Sequence, residues 1–146
     1  MVRFPTKAAL TAILLTGPVT ANETAAEAGM TRIRFIVGQE VLTATLDDNA
    51  PARDFAAMLP LDLTLSDYHG TEKVADLGRK LDDTGAPRAY TPKAGDITQY
   101  RPWGNLALFY KPFQSSAGLL RLGQFEGPMD ALLGSGEVRV RIELAE

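Results

Sequence analysis

The chain has 146 residues, 45% hydrophobic and 23% charged, with no cysteine and a formal charge of −3. That length and composition fit one ordinary globular domain able to bury a core without disulfides. The acidic balance gives nucleic-acid binding no electrostatic support, and the absent thiols exclude thiolate metal sites while fitting a periplasmic or a cytosolic home alike.

The N-terminus reads as a signal peptide over residues 1–21. Arg3 and Lys7 supply a positive start and residues 8–15 a short apolar core. Gly17-Pro18 breaks that core, and Val19-Thr20-Ala21 places small residues at a cleavage position. The expected compartment is therefore periplasmic or secreted; translation from Met30 would instead leave the domain cytoplasmic. The apolar run is too short and interrupted to span a bilayer, so no transmembrane segment is expected. Residues 22–30 read as a linker and 31–146 as the packed domain.

Ile33, Phe35 and Val37 alternate with Arg32 and Arg34, the pattern of a strand with one buried face. Gly38-Gln39 fits a two-residue hairpin turn with glycine first, and residues 40–46 return with Leu42, Ala44 and Leu46 inward. Asp47, Asp48 and Asn49 offer capping oxygens, and Pro51 suits a first helical turn. Ala52, Phe55, Met58 and Leu59 then share one face of a helix that Pro60 ends. This helix must cover an opening in the sheet. Leu61, Leu63 and Leu65 mark a third strand.

Residues 66–95 read as a long polar loop of the kind that is usually functional. Its most chemically mixed run is Asp67-Tyr68-His69-Gly70-Thr71-Glu72-Lys73. Residues 97–100 form a strand and Arg101-Pro102-Trp103-Gly104 a break. The run 106–110 (LALFY) is apolar on both faces, which predicts a strand covered on each side. Residues 111–116 are a loop and 119–122 a strand. A short helix follows, with Pro128 at its start, Met129, Leu132 and Leu133 inward, and Gly134 as its stop. Val138, Val140, Ile142 and Leu144 give the closing strand. Seven strands and two short helices, too few to roof a parallel sheet, predict a mostly β protein. The expected form is a small closed or nearly closed antiparallel barrel with helical plugs.

Three segments together resemble the cyclophilin fold. Thr45-Leu46-Asp47-Asp48-Asn49-Ala50-Pro51-Ala52-Arg53-Asp54-Phe55 looks like the cyclophilin second strand running into its first helix. Leu106-Ala107-Leu108-Phe109-Tyr110-Lys111-Pro112-Phe113 resembles the strand that ends in a tyrosine, a turn and a phenylalanine. Leu122-Gly123-Gln124-Phe125-Glu126-Gly127-Pro128-Met129-Asp130 resembles the glycine-containing strand before the second helix. The match spans about residues 31–144 and is most similar to the small bacterial cyclophilin-like domain proteins. It implies a β-barrel with an apolar groove for a peptide or small ligand.

Cyclophilin isomerases place an arginine beside that groove, where it hydrogen-bonds the substrate backbone and eases a rotation whose barrier is about 18–20 kcal/mol. The corresponding run here holds His69 with no arginine after it, and the family's Phe-Met-x-Gln and Gln-Phe-Phe segments are absent. The expected function is thus binding without established catalysis, with no catalytic residue assigned. The alternative is a peptidyl-prolyl cis–trans isomerase using Arg88, Arg101 or Lys73 as a non-standard donor. A lysine ammonium lacks the planar fork of a guanidinium and is not an equivalent donor.

Trp103, Tyr68, Glu72, Lys73, Tyr110 and Phe113 are the candidate ligand contacts. Trp103, held between Pro102 and Gly104, stacks on prolines or small rings, or else lids the barrel end. Glu72-Lys73 is a poised pair in a cleft or an exposed ion pair. Tyr68 and Tyr110 line a pocket or pack in the core with a wet hydroxyl; Phe109 and Phe113 divide between ligand contact and packing as Trp103 does, with Phe109 the one expected to be buried. His69 is the only histidine, so no metal site and no cofactor is expected. Arg32, Arg34, Arg139 and Arg141 share one outer face if the first and last strands pair. That stripe meets an acidic partner or is simply solvated. The oligomeric state is left open.

Overall fold

Alternation in the sequence becomes inside-outside alternation around a closed ring of strands. The computed structural model describes residues 29–145; the signal-peptide segment and most of the linker lie outside the described residues. The strands are β1 (Thr31–Val37), β2 (Glu40–Leu46), β3 (Leu61–Tyr68), β4 (Glu72–Asp76), β5 (Ala89–Tyr90), β6 (Asp96–Tyr100), β7 (Asn105–Phe109), β8 (Ser116–Ala117), β9 (Leu119–Phe125) and β10 (Val138–Leu144). Eight of them close a barrel in the order β1-β10-β3-β4-β7-β6-β9-β2, and β5 pairs with β8 as a separate two-stranded sheet. Every pairing is antiparallel.

β1 and β2 pair from Thr31↔Leu46 to Val37↔Glu40, so Gly38-Gln39 is the two-residue turn. Gly38 has φ +60, the conformation such a turn requires at its first position. Helix α1 (Ala50–Met58) follows. The Asn49 side chain caps it by accepting from the Ala52 N–H at 2.8 Å, and also donates to the Arg121 carbonyl, which ties the helix start to β9. Ala52 and Phe55 of α1 join the barrel core with Ile33, Phe35, Leu65, Leu106, Leu108, Leu122 and Ile142. Met58 and Leu59 are half-buried against it.

β9 crosses β2 so closely that a Cβ on Gly123 would meet the Thr45 carbonyl oxygen at 2.1 Å. No residue but glycine fits there. β7 is covered on both sides, as its all-apolar sequence predicts. Leu106 and Leu108 point into the barrel, while Ala107 and Phe109 build a second, smaller cluster outside it with Leu119, Val74, Tyr90 and Tyr100.

Three features differ from the sequence expectation of seven strands and two helices, one being the short β5–β8 pair, which forms at stretches read as loop. The long loop over residues 66–95 is interrupted: β3 runs on to Tyr68, a turn at His69-Gly70 has positive φ at both residues (53° and 63°), and β4 follows at once. The segment from 77 to 88 is irregular and leads into β5. Gln99, fully buried, pins it by accepting from the Leu81 N–H and donating to the Arg79 carbonyl, each at 2.8 Å. The second helix is only a 3-10 turn at Asp130–Leu132. Met129 and Leu132 are inward as expected, but the turn is too short to bring Leu133 round, and that side chain stays 39% exposed.

Candidate functional site

The antiparallel register decides which side chains stand together, because directly paired residues share a face. On the outward face of β3, β4, β7 and β6, one row is Tyr68, Glu72 and Phe109. The next is Ser66, Val74, Ala107 and Thr98, and a third is Asp76, Asn105 and Tyr100. Most of these side chains floor a groove of about 1050 Å³, rimmed by His69 and Thr71 at the β3–β4 turn and by residues 113–117 on the far side.

Trp103 stands over this floor. It lies in the turn after β6, where Trp103 and Gly104 both donate their N–H groups to the Tyr100 carbonyl. That turn is clamped from behind: Arg101 N–H donates to the Gly118 carbonyl at 2.9 Å, and a Cβ on Gly118 would strike Pro102 at 2.8 Å. The indole is 64% exposed and meets Tyr100 edge-on at 5.2 Å and Tyr68 edge-on at 6.1 Å between ring centroids. Tyr68 belongs to β3 and Tyr100 to β6, with β4 and β7 between them in the barrel, so the three rings reach across the groove. At the other wall Phe113 stacks on Phe109 at 6.5 Å.

The groove lining has a single charge sign apart from His69. It contains Glu72 and Asp76 and, among the described residues, no lysine or arginine. Burial, and then the negative charge of Asp67, push the Glu72 carboxyl up to about 7. No described residue donates a hydrogen bond to it. His69 packs edge-on against Tyr68 at 4.2 Å.

Of the candidates named from sequence, Tyr68, Glu72, Trp103 and Phe113 come together in this groove. Lys73 and Tyr110 stand on the inward face instead, since alternation along β4 turns Lys73 away from Glu72. Lys73 is 4% exposed, with its ammonium 3.6 Å from Asp67 and 6.0 Å from the Tyr110 ring. The Tyr110 hydroxyl donates to Asp67, which holds that carboxyl below its usual range and pushes the tyrosine up to about 12. Glu72 and Lys73 therefore form no pair with each other. The other suggested donors also lie outside the groove lining: Arg101 donates to the Leu81 carbonyl and faces Asp83 at 3.6 Å, and Arg88 is exposed.

Asp76, Tyr100, Asn105 and Leu119 also line the groove without having been singled out from sequence. The spacing Glu72, Val74, Asp76 would have grouped the first of these had β4 been recognised as a strand. A buried polar knot behind the groove was equally hidden. The Tyr90 hydroxyl and the Lys93 N–H donate to the 3%-exposed Asp96, and Arg121, held by Asp47 at 2.8 Å, donates to the Tyr90 hydroxyl at 3.4 Å, which fastens β5 to the barrel.

β1 and β10 do pair, which gathers the arginine stripe on one face. Arg32 is bonded to Glu126 at 3.0 Å, Arg34 to Glu143, and Arg141 to Asp62 and Glu143. No group of three or more potential metal-ligating His, Cys, Asp or Glu side chains occurs among the described residues. No helix among them is long and apolar enough to cross a membrane.

An eight-stranded closed antiparallel barrel, with a helix packed into its core and a groove on its outer wall, defines a cyclophilin-type domain. The model of the Cyclophilin-like family matches residues 35–143, and the chain belongs to that family. Among solved structures, it is similar to a hypothetical protein from Archaeoglobus fulgidus determined in solution. The two share 17% identity and a TM-score of 0.59 over 80% of this chain and 96% of that one, a likeness of fold. The curated proteins contain no significant match to the chain.

Proposed function

We propose that this chain is a binding protein whose outer groove takes a peptide or small ligand against the Tyr68–Trp103–Tyr100 wall, without catalysing a reaction on it. The observation that carries this reading is Trp103: a large aromatic side chain, 64% exposed, clamped by its turn above a groove of about 1050 Å³. Exposed aromatic area held in a fixed geometry costs little to order on binding, so such residues anchor ligands. Among the described residues the groove lining offers no guanidinium to polarise a prolyl amide, which favours binding over isomerisation.

The chain's single tryptophan makes the test direct. Trp103 fluorescence is expected to shift when a proline-containing peptide library is screened, and Trp103→Ala to abolish capture of the selected peptides. A proline-peptide isomerisation assay on the same protein is expected to stay at the uncatalysed rate; acceleration that is lost on replacing Arg88, Arg101 or Lys73 would establish the isomerase alternative. We also propose export to the periplasm or medium, from the positive start, apolar core and small-residue cleavage pattern of residues 1–21. A mature N-terminus near residue 22 on protein recovered from cells tests it; one at Met30 would overturn it.

A further inference from the structure

We propose that the groove selects ligands bearing a cationic group, an ammonium or guanidinium such as a lysine or arginine side chain, seated between Glu72 and the Tyr68–Trp103–Tyr100 rings. This rests on the reading of the groove as a binding site and names the chemistry of what enters it. Three observations converge. First, Glu72 and Asp76 lie four residues apart on one strand and face the same way, so they stand about 13 Å apart along the groove floor. Second, no lysine or arginine lines the groove among the described residues, so the field inside the concavity is set by carboxylates with no neutralising partner there. Third, the aromatic series passes over the same floor, and ring faces attract cations while a carboxylate fixes their position.

Glu72 is the more telling of the two acids. Asp76 already accepts the Gly78 N–H at 2.8 Å, whereas the half-buried Glu72 carboxyl accepts no hydrogen bond from any described residue. A carboxylate withdrawn from water without a donor is costly, and an incoming cationic N–H removes that cost. The charged and titratable groups around it are Asp67, Tyr68 and His69 from β3 and its turn, Tyr110 and Lys111 just after β7, and Lys73 and Asp76 on its own strand. Lys73 points to the opposite face and toward Asp67, and Lys111, whose ammonium lies 5.9 Å from the Tyr110 ring, is not part of the groove lining. The groove therefore lacks an internal cation where its geometry has room for an external one.

The test uses peptides matched except at one position, carrying arginine, glutamine or glutamate, with N-acetylarginine methylamide as a small-molecule arm, all read by Trp103 fluorescence. At about pH 8.5, where Glu72 is ionised, the arginine peptide is expected to bind about tenfold or more tighter than the glutamine peptide, and the glutamate peptide weakest. Glu72→Gln is expected to bring arginine and glutamine within about twofold. In the unmodified chain the preference is expected to shrink at about pH 5.5, which tests the same point without a substitution. Binding of the small probe alone would assign a free cation as the ligand, and binding only within peptides a side chain. Equal binding of arginine and glutamine peptides overturns the cationic preference while leaving the groove a binding site. A preference that survives Glu72→Gln overturns the role of Glu72. Silence of Trp103 toward every probe overturns the binding reading itself.

Discussion

Glu72 is also a source of pH-dependent stability, and the sign can be worked out. Its carboxyl is raised in the folded chain from an ordinary 4.5 to about 7, chiefly by burial. Between those values the native state holds more protons than the unfolded chain, so stability falls as pH rises through that window. Glu72→Gln is expected to flatten this slope in urea titrations from about pH 4 to pH 8, by on the order of 1 kcal/mol given the solvent still reaching the group. Trp103→Ala is expected to change stability by less than about 0.5 kcal/mol, because the side chain is mostly exposed, while removing ligand capture. At this scale the sequence exposes which residue types are unusual but not which way they face. Tyr68, Glu72, Trp103 and Phe113 reach the groove, whereas Lys73 and Tyr110 turn inward, and that difference is one step of strand alternation within a run whose polarity conceals it.

Among the elements, those with a local physical signature were legible. The β1–β2 turn follows from Gly38, the start of α1 from Asn49 and Pro51, and β10 from strict alternation. β4 was not legible because its inward positions carry Lys73 and Ala75 and its outward ones Glu72, Val74 and Asp76, which reverses the usual pattern at one end. Lys73 is tolerated inside because Asp67 and Tyr110 meet it at the barrel mouth. Removing the helix cap with Asn49→Ala is expected to lower stability by about 1 kcal/mol, read from the denaturant midpoint. Gly123→Ala is expected to cost more, about 1–3 kcal/mol, since the added methyl drives into the Thr45 carbonyl and β2 and β9 must part to admit it.

For the molecule as a whole, closure is the property that the strand count alone left open. Eight strands complete the ring, with β10 bonded to β1 on one side and β3 on the other. Ending the chain at Glu137 therefore exposes two unpaired strand edges and is expected to abolish cooperative thermal unfolding, as followed by circular dichroism. The small cluster of Ala107, Phe109, Leu119, Val74, Tyr90 and Tyr100 lies outside that ring. β7 thus lends one set of side chains to the fold and the alternate set to the groove. Substitutions on the outer set can therefore reshape the groove, residue by residue, while the chassis keeps its seams sealed.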